Sequence, residues 1–443
     1  MTAKTPVQSL FLTSKMIYPP IGGSPLRNWQ NINLMMQYGE VGVVYLHGAH
    51  EKPTSTPERP PGVATWHWHT VEKRSPIQAI ARRLGLLLWY GTRIDPLPDK
   101  RYSPAIAKEL ERILTEFQPD VVIIEELWLC SYLSVLKRYP CQIVFDAHNA
   151  ETFLYRDIFR AEKFDRLKAK LDSLWQLLLV EAMERNIVKR ATQVWVCSQQ
   201  DAQLFQSFSS KQVSTAVVPN GVNVSHYSSI RSGQHPLPPD LAPSPHTLIF
   251  TATFGYFPNA IAAKLLIEDI FPKLQALYPD SRLLLVGANP AEWMKDAAQA
   301  NSNIIVTGKV PDIRPYMAAS SVVIVPLLQG GGTRLKILEA FAAGRPVVST
   351  AKGAEGIKAQ DGVHLLIRDS VDELVEGVQT LWQHPEEGQQ LAQSAYELVQ
   401  ETYSWDAIGR QIKPTIEHLL KLNSQPSNSA LEASSMKNTS SRV

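Results

Sequence analysis

Gly330-Gly331-Gly332-Thr333-Arg334-Leu335-Lys336-Ile337-Leu338-Glu339, continuing through Ala340 to Gly344, Arg345 and Pro346, reads as a glycine turn, a helix and a glycine stop. The apolar run Val322–Val325 precedes it and Pro346-Val-Val-Ser follows, so the unit is strand, helix, strand, the repeat of a parallel α/β sheet. Leu335, Leu338 and Ala342 fall at helical spacing and face a core. The glycines leave the backbone bare where the helix starts, and Thr333 is placed to cap it. Amide groups at a helix start lack intrahelical partners, and the dipole adds positive potential there, so the mouth suits an anion. Arg334 and Lys336 add formal charge, and Glu339 is expected about two turns further in, beside Lys336. A phosphate cradle with one carboxylate beyond it fits a nucleoside diphosphate: phosphates on the amides of Gly331, Gly332 and Thr333 and on the two cations, ribose hydroxyls on Glu339. The competing reading is a plain packing turn, with Arg334 solvated and Glu339 paired to Lys336 or Arg345. The pattern is neither a P-loop nor a Gly-x-Gly-x-x-Gly turn after a strand.

Strand and helix signals alternate outward from this block. Val7–Thr13, Val41–Leu46, Asp120–Glu125, Gln142–Ala147, Gln193–Ser198 and Thr215–Val218 are short apolar runs suited to buried parallel strands. A second series runs through His246–Ala252, Arg282–Val286, Asn303–Val306, Val322–Val325, Pro346–Thr350 and His364–Ile367. The spacing predicts helices over Ser103–Phe117 and Phe164–Lys189, the latter with a seam of Leu167, Leu171, Leu174, Leu178 and Ala182. Arg231–Pro245 is Pro-rich and aperiodic, which places a domain boundary near 222–245. The expected division is an N-terminal Rossmann-like domain over 1–221, a C-terminal one over 222–402 and a last helix over 403–422. A disordered, Ser- and Asn-rich tail is expected over 423–443.

Bulk properties narrow the class. A chain of 443 residues exceeds one ordinary core, so two α/β domains facing a cleft are expected. A formal net charge of +2 argues against a dedicated nucleic-acid binder. Cys130, Cys141 and Cys197 sit in or beside apolar runs without metal-ligand spacing and read as buried free thiols of a reducing compartment. The apolar run at Val7–Leu12 is short for a signal peptide, and no run approaches the ~18 residues of a membrane span. A cytoplasmic location is therefore expected. Ser75–Tyr90 carries Ile77, Ile80, Leu84 and Leu87 at helical spacing beside Arg82 and Arg83. It fits a helix packed on its own domain, or one lying on the anionic inner face of a membrane.

Other residues have chemical potential. His148 follows the run Gln142–Phe145 at a strand's carboxyl end, where ligands bind in open sheets. Asp146, Asn149 and Glu151 make that loop polar, and Glu151 either orients His148 or caps the next helix. Gly22 and Gly23 follow the first strand and admit a ligand close to the backbone; Arg27 is expected to charge that mouth or to be solvated. Phe254-Gly255-Tyr256-Phe257-Pro258-Asn259 follows the first strand of the second series, so Gly255 and Asn259 are donor-side candidates, turn and cap being the simpler roles. Ser198 and Asn220 to Asn223 fit caps and turns at a cleft floor. His67 and His69 alternate with Trp66 and Trp68, as in a half-buried strand or an acceptor surface.

Six motifs in order carry a resemblance. They are Tyr18-Pro-Pro-Ile-Gly22-Gly23-Ser-Pro-Leu-Arg27, Phe145-Asp146-Ala-His148-Asn149-Ala-Glu151, Val196-Cys-Ser198, Val218-Pro219-Asn220-Gly221-Val222-Asn223, Phe254–Asn259 and the block at 330–346. Over most of its length the chain resembles glycosyltransferase family 4, retaining sugar transferases of GT-B fold. The resemblance implies transfer of a hexose-type sugar, with retention, from a nucleoside-diphosphate sugar to a glycan or lipid-linked acceptor in cell-surface polysaccharide or glycoconjugate synthesis. It implies catalytic roles for His148, Arg334, Lys336 and Glu339. Donor contacts are implied at Gly22, Gly23, Gly255, Asn259, Gly331, Gly332, Thr333 and Leu335. The last helix, Trp405 to Leu420, is expected to cross back to the first domain. The family often has a glutamate where Gly331 stands. No Asp-x-Asp stands where a metal would be bound, so neither metal nor cofactor is expected. The alternatives are a nucleotide-sugar epimerase or phosphorylase on the same fold, and a degenerate transferase that binds nucleotide or glycan.

Overall fold

The structure is a computed structural model that describes residues 6–20, 23–48, 57–71, 102–161, 167–208, 213–239, 241, 244–330 and 334–423. The first series of apolar runs forms β1 (Ser9–Thr13), β2 (Val41–Gly48), β3 (Thr65–Val71), β4 (Val121–Ile124), β5 (Gln142–Ala147), β6 (Gln193–Val196) and β7 (Thr215–Val217). All pair in parallel, in the order β3-β2-β1-β4-β5-β6-β7. The second series forms β8 (Thr247–Thr251), β9 (Arg282–Val286), β10 (Ile304–Gly308), β11 (Val322–Val325), β12 (Val347–Ser349) and β13 (Leu366–Ile367). Its order is β10-β9-β8-β11-β12-β13, again parallel. Helices cover both faces of such sheets, so Leu10, Phe11 and Leu12 are all fully buried and the strands read as continuous apolar runs.

The edge strand β3 is the half-buried strand that its alternation suggested. Trp66 stacks on Tyr45 and Trp68 on His47, while His67 and His69 point the other way, toward Glu109 and Arg112. Cys197 is buried; Cys130 and Cys141 are only half-buried, and none of the three is in a disulfide. The helix expected at Ser103–Phe117 is Pro104–Phe117, with Ser103 at its N-cap.

On the long helix Leu167–Val188 only part of the expected seam faces inward: Ala182 is buried and Leu174 and Leu178 are half-buried. Leu171 is 57% exposed, whereas Lys170, Ser173, Leu177, Val180, Glu184 and Ile187 are buried. Apolar residues surround this helix, so spacing alone chooses no face, and two charged residues turn inward because they have work there. The Glu184 carboxylate accepts from Glu151 N at 2.7 Å, Thr152 N at 3.3 Å and Thr152 Oγ1 at 2.5 Å. Lys170 Nζ donates to Phe159 O at 2.5 Å. An anion at the start of the helix Glu151–Ala161 and a cation at its end both suit its dipole.

The last helix, Trp405–Asn423, lies on the N-terminal sheet. Ile408, Ile412, Ile416 and Leu419 share one apolar layer with Phe11, Ile32, Met35, Val43 and Trp195. The chain thus passes between the two lobes at neighbouring points. Val222 bridges Ser404 in parallel, and Val222 N donates to Tyr403 O at 2.9 Å. A Cβ on Gly221 would come within 2.6 Å of Ile408 and 2.8 Å of Trp405, so any larger residue would force those two side chains to shift at this crossing. The proposed basic helix at Ser75–Tyr90 and the tail beyond 423 lie outside the described residues.

Candidate active site

Strand order reverses between β1 and β4 in the first sheet and between β8 and β11 in the second. Loops leaving the carboxyl ends at such reversals open a crevice, the usual ligand site of an open α/β sheet. The two crevices meet. A Cβ on Gly23, at the start of the helix Gly23–Met36, would lie 2.9 Å from Leu335 Cδ1. Lys352 Nζ lies 2.7 Å from Glu355 on its own lobe and 3.4 Å from Asp157 on the other. The electrostatic influence of Glu151 and Asp157 reaches Tyr256, and that of Asp157 reaches Arg334.

The N-terminal side is a buried polar floor. Asp146, the fifth residue of β5, is gripped by Arg27 through Nε at 2.9 Å and Nη2 at 2.5 Å, with Asn31 Nδ2 at 2.7 Å. Arg27 Nη1 reaches Val218 O at 2.7 Å and Asn220 Oδ1 at 3.1 Å. Arg27 is only 1% exposed. This corrects the expectation of a mouth or solvated charge: its helix points it inward, where one acid neutralises it. His148 Nε2 meets Glu125 Oε2 at 3.1 Å, and its carbonyl accepts from Cys197 Sγ at 3.1 Å. Burial, with Arg27 adding to it and Asp146 opposing, pushes His148 below the usual imidazole range. Glu184, by capping the helix that starts at Glu151, fixes the loop carrying His148. Glu125, Asp146 and His148 bring ligand-type atoms within 4.8 Å of one another, but Arg27 already occupies both oxygens of Asp146. That set therefore does not fit a metal.

The C-terminal side is built on the helix Leu335–Ala342. It begins later than its sequence suggested: Arg334 is the N-cap, and Glu339 lies little more than one turn in. Gly330 has φ +114°, a backbone that favours glycine, and the Arg334 guanidinium packs 3.2 Å from where a Cβ would sit. Lys336 Nζ donates to Asn259 Oδ1 at 3.1 Å and lies 4.1 Å from the centre of the Phe250 ring. Asn259 Nδ2 in turn holds Thr253 O at 3.0 Å, tying Lys336 to the loop after β8. Burial brings Lys336 down to about 7, Arg334 adding repulsion and Glu339 opposing. Burial lifts Glu339 to about 7 against the Tyr227 hydroxyl bonded to it and the charge of Lys336. Gly255 sits with its Cα facing Asn289.

Of the residues singled out from sequence, Gly23 meets Leu335 across the cleft, and Asn259, Lys336 and Glu339 gather with Arg334 on one lobe. His148 stands on the other. Gly22, Gly331, Gly332 and Thr333 lie outside the described residues. Ser198 and Asn223 are caps, accepting from Asp201 N and His226 N. Sequence reasoning missed Asn28, Asn31, Glu125, Glu184 and Tyr227. A signal existed for Glu125: two acids, Glu125-Glu126, directly end the apolar run Val121–Ile124.

Two facing parallel α/β lobes with the C-terminal helix returned to the first define a GT-B protein. Residues 43–221 match the family described as glycosyl transferase 4-like domain, and residues 245–384 that described as glycosyl transferases group 1. The chain belongs to the family 4-type glycosyltransferases. It is similar in fold to sucrose-phosphate synthase from Thermosynechococcus elongatus, at 16% identity and TM-score 0.67, over 94% of this chain and 100% of that one. It is also similar to Anabaena HepE in complex with UDP and glucose, at 15% identity and TM-score 0.62, over 93% and 99% of the two chains. A third is WaaG, a glycosyltransferase involved in lipopolysaccharide biosynthesis, at 16% identity and TM-score 0.58, over 91% and 98%. Compared by sequence with curated proteins, the chain matches none. Among the described residues no helix is long and apolar enough to cross a membrane.

Proposed function

We propose that the protein moves a hexose-type sugar, with retention, from a nucleoside-diphosphate sugar to a glycan or lipid-linked acceptor in cell-surface polysaccharide or glycoconjugate synthesis. The observation that supports this most is the gathering of Arg334, Lys336, Asn259 and Glu339 at the β8/β11 crevice, opposite His148. The departing diphosphate needs fixed positive charge, which Arg334 and Lys336 supply without a metal. Glu339, steadied by Tyr227, holds ribose hydroxyls. His148 bonds the donor sugar from the other lobe, and Gly23 lets backbone approach it. The protein then works in the cytoplasm, against the inner face of the membrane where lipid-linked acceptors present their sugars.

HepE was solved with UDP-glucose, so uridine-diphosphate sugars head the panel of donors, with guanosine-diphosphate sugars beside them. Donor hydrolysis and transfer are measured by nucleotide release, with and without chelator. Turnover that chelation abolishes would remove the metal-free part of the proposal. Tight nucleotide binding with no turnover on any acceptor would favour a binding protein, and sugar interconversion without acceptor an epimerase.

Acidity offers an independent check. As pH rises through about 7, Lys336 loses its proton and Glu339 gains a charge, so the pair turns from net positive to net negative. A sugar nucleotide keeps its own charge over this range. Its affinity should therefore fall between pH 6 and 8 by calorimetry, and Lys336→Met should flatten that slope. An affinity rising with pH would contradict the assignment of phosphate to Lys336.

A further inference from the structure

Glu125 follows β4 and is fully buried. Its Oε2 lies 3.1 Å from His148 Nε2. The Asn28 side chain reaches both: with its oxygen accepting from Thr13 Oγ1, its nitrogen lies 2.8 Å from Glu125 Oε2, 3.0 Å from His148 Nε2 and 2.7 Å from Ser24 O. Glu125 Oε1 has no hydrogen-bond partner among the described residues. The nearest other carboxylate, Asp146, is close enough to interact strongly with Glu125.

Two carboxylates in one dry pocket do not both ionise. Asp146 receives two guanidinium hydrogens and one amide hydrogen, whereas Glu125 Oε1 receives none among the described residues. The shared proton therefore resides on Glu125. Around His148 Nε2 stand an amide nitrogen, which only donates, a carboxylic acid, which can donate, and, beyond hydrogen-bond reach at 3.7 Å, Asp146 Oδ2, which already accepts from Arg27 Nε and Asn31 Nδ2. A ring nitrogen facing donors is an acceptor, and a neutral imidazole then carries its hydrogen on the other nitrogen.

We propose that Glu125 is a positioning residue that stays protonated and locks His148 as the neutral tautomer with hydrogen on Nδ1. His148 then offers the cleft a hydrogen-bond donor rather than a base. Where the ligand lies rests on the transferase reading; the place of the ring proton does not. The charged surroundings agree. Burial, then Asp146 and Glu126, hold Glu125 well above the ordinary carboxyl range against Arg27. Burial and Arg27 hold His148 low against Asp146, Glu126 and Glu151.

The test is nitrogen NMR of the full chain labelled at histidine, with His148→Gln identifying the signal. Wild type should show a neutral Nδ1–H ring from pH 6 to 8. Glu125→Gln, which keeps shape and a donor, should preserve that signature; Glu125→Ala should give a mixture of tautomers. An imidazolium or an Nε2–H ring in wild type at pH 7 would overturn the proposal, as would a switch of tautomer in Glu125→Gln. In turnover, Glu125→Ala should lose about tenfold in kcat, the worth of one buried hydrogen bond, and Glu125→Gln should recover most of it. A Gln variant as poor as Ala would show that the charge of Glu125 is used and would also overturn it. Absence of any transfer would sink the transferase reading alone, with the ring signal still deciding the proton's place.

Discussion

Asp146→Ala should lower the unfolding free energy by about 3–5 kcal/mol, the usual effect of orphaning one member of a buried ion pair. Arg27 would keep Val218 O and Asn220 Oδ1 but lose both carboxylate oxygens, and Asn31 would lose its acceptor. Burial alone would push the Arg27 proton off; the charge and hydrogen bond of Asp146, with Cys197 and Glu125 adding to them, together more than reverse this and hold it firmly on. Removing that charge strands a cation in a core where neighbouring carbonyls solvate it only in part. At roughly 2–4 °C per kcal/mol for a lobe of this size, the first unfolding transition should drop by roughly 6–20 °C. Circular dichroism or calorimetry measures it. The double change Arg27→Met with Asp146→Leu should regain much of the loss, since both charges leave together. An Asp146→Ala protein that melts with wild type would show that Arg27 is neutralised by something else.

Lys336→Ala and Glu339→Ala should each cost about ten- to hundredfold in kcat/KM. A charge-assisted contact in a half-dry site contributes roughly 1.5–3 kcal/mol, and each ~1.4 kcal/mol is a decade in rate. Lys336 is held in place by Asn259 and by the Phe250 ring, so little reorganisation precedes contact with a phosphate. Loss of Lys336 should act mainly on kcat, because negative charge on the leaving diphosphate grows toward the transition state. Loss of Glu339, which holds a part of the donor that does not react, should act more on KM. Steady-state kinetics on the donor that turns over best separates the two. Near-wild-type turnover in both variants would end the assignment of this crevice as the donor site.

The parallel sheets were legible because burial on both faces writes itself as short apolar runs, as at Val322–Val325. The glycine block was legible because its turn and its charges sit within a few residues of one another. What escaped notice depends on residues far apart in the chain. Glu184 and Lys170 look like solvent charges on a leucine-rich helix until the helix Glu151–Ala161 is laid beside them. Arg27 looks like a mouth residue until its distance to Asp146, more than a hundred positions away, is known. Tyr227 follows the Asn220–Asn223 turn and carries no local mark of its contact with Glu339. The helix start at Leu335 rather than among the glycines likewise reflects tertiary placement, with Arg334 folded back over Gly330.

The adjacent crossings at Val222 and Ser404 have a mechanical corollary. Two backbones lying side by side act as a pin, leaving the lobes one easy axis of rocking and resisting twist and slide. A few degrees about that pin, multiplied by the long arm out to Gly23 and Leu335, becomes ångströms of gape at the mouth. Bulk introduced at Gly221 would jam the pin, slowing entry and exit without removing any side chain of the crevice.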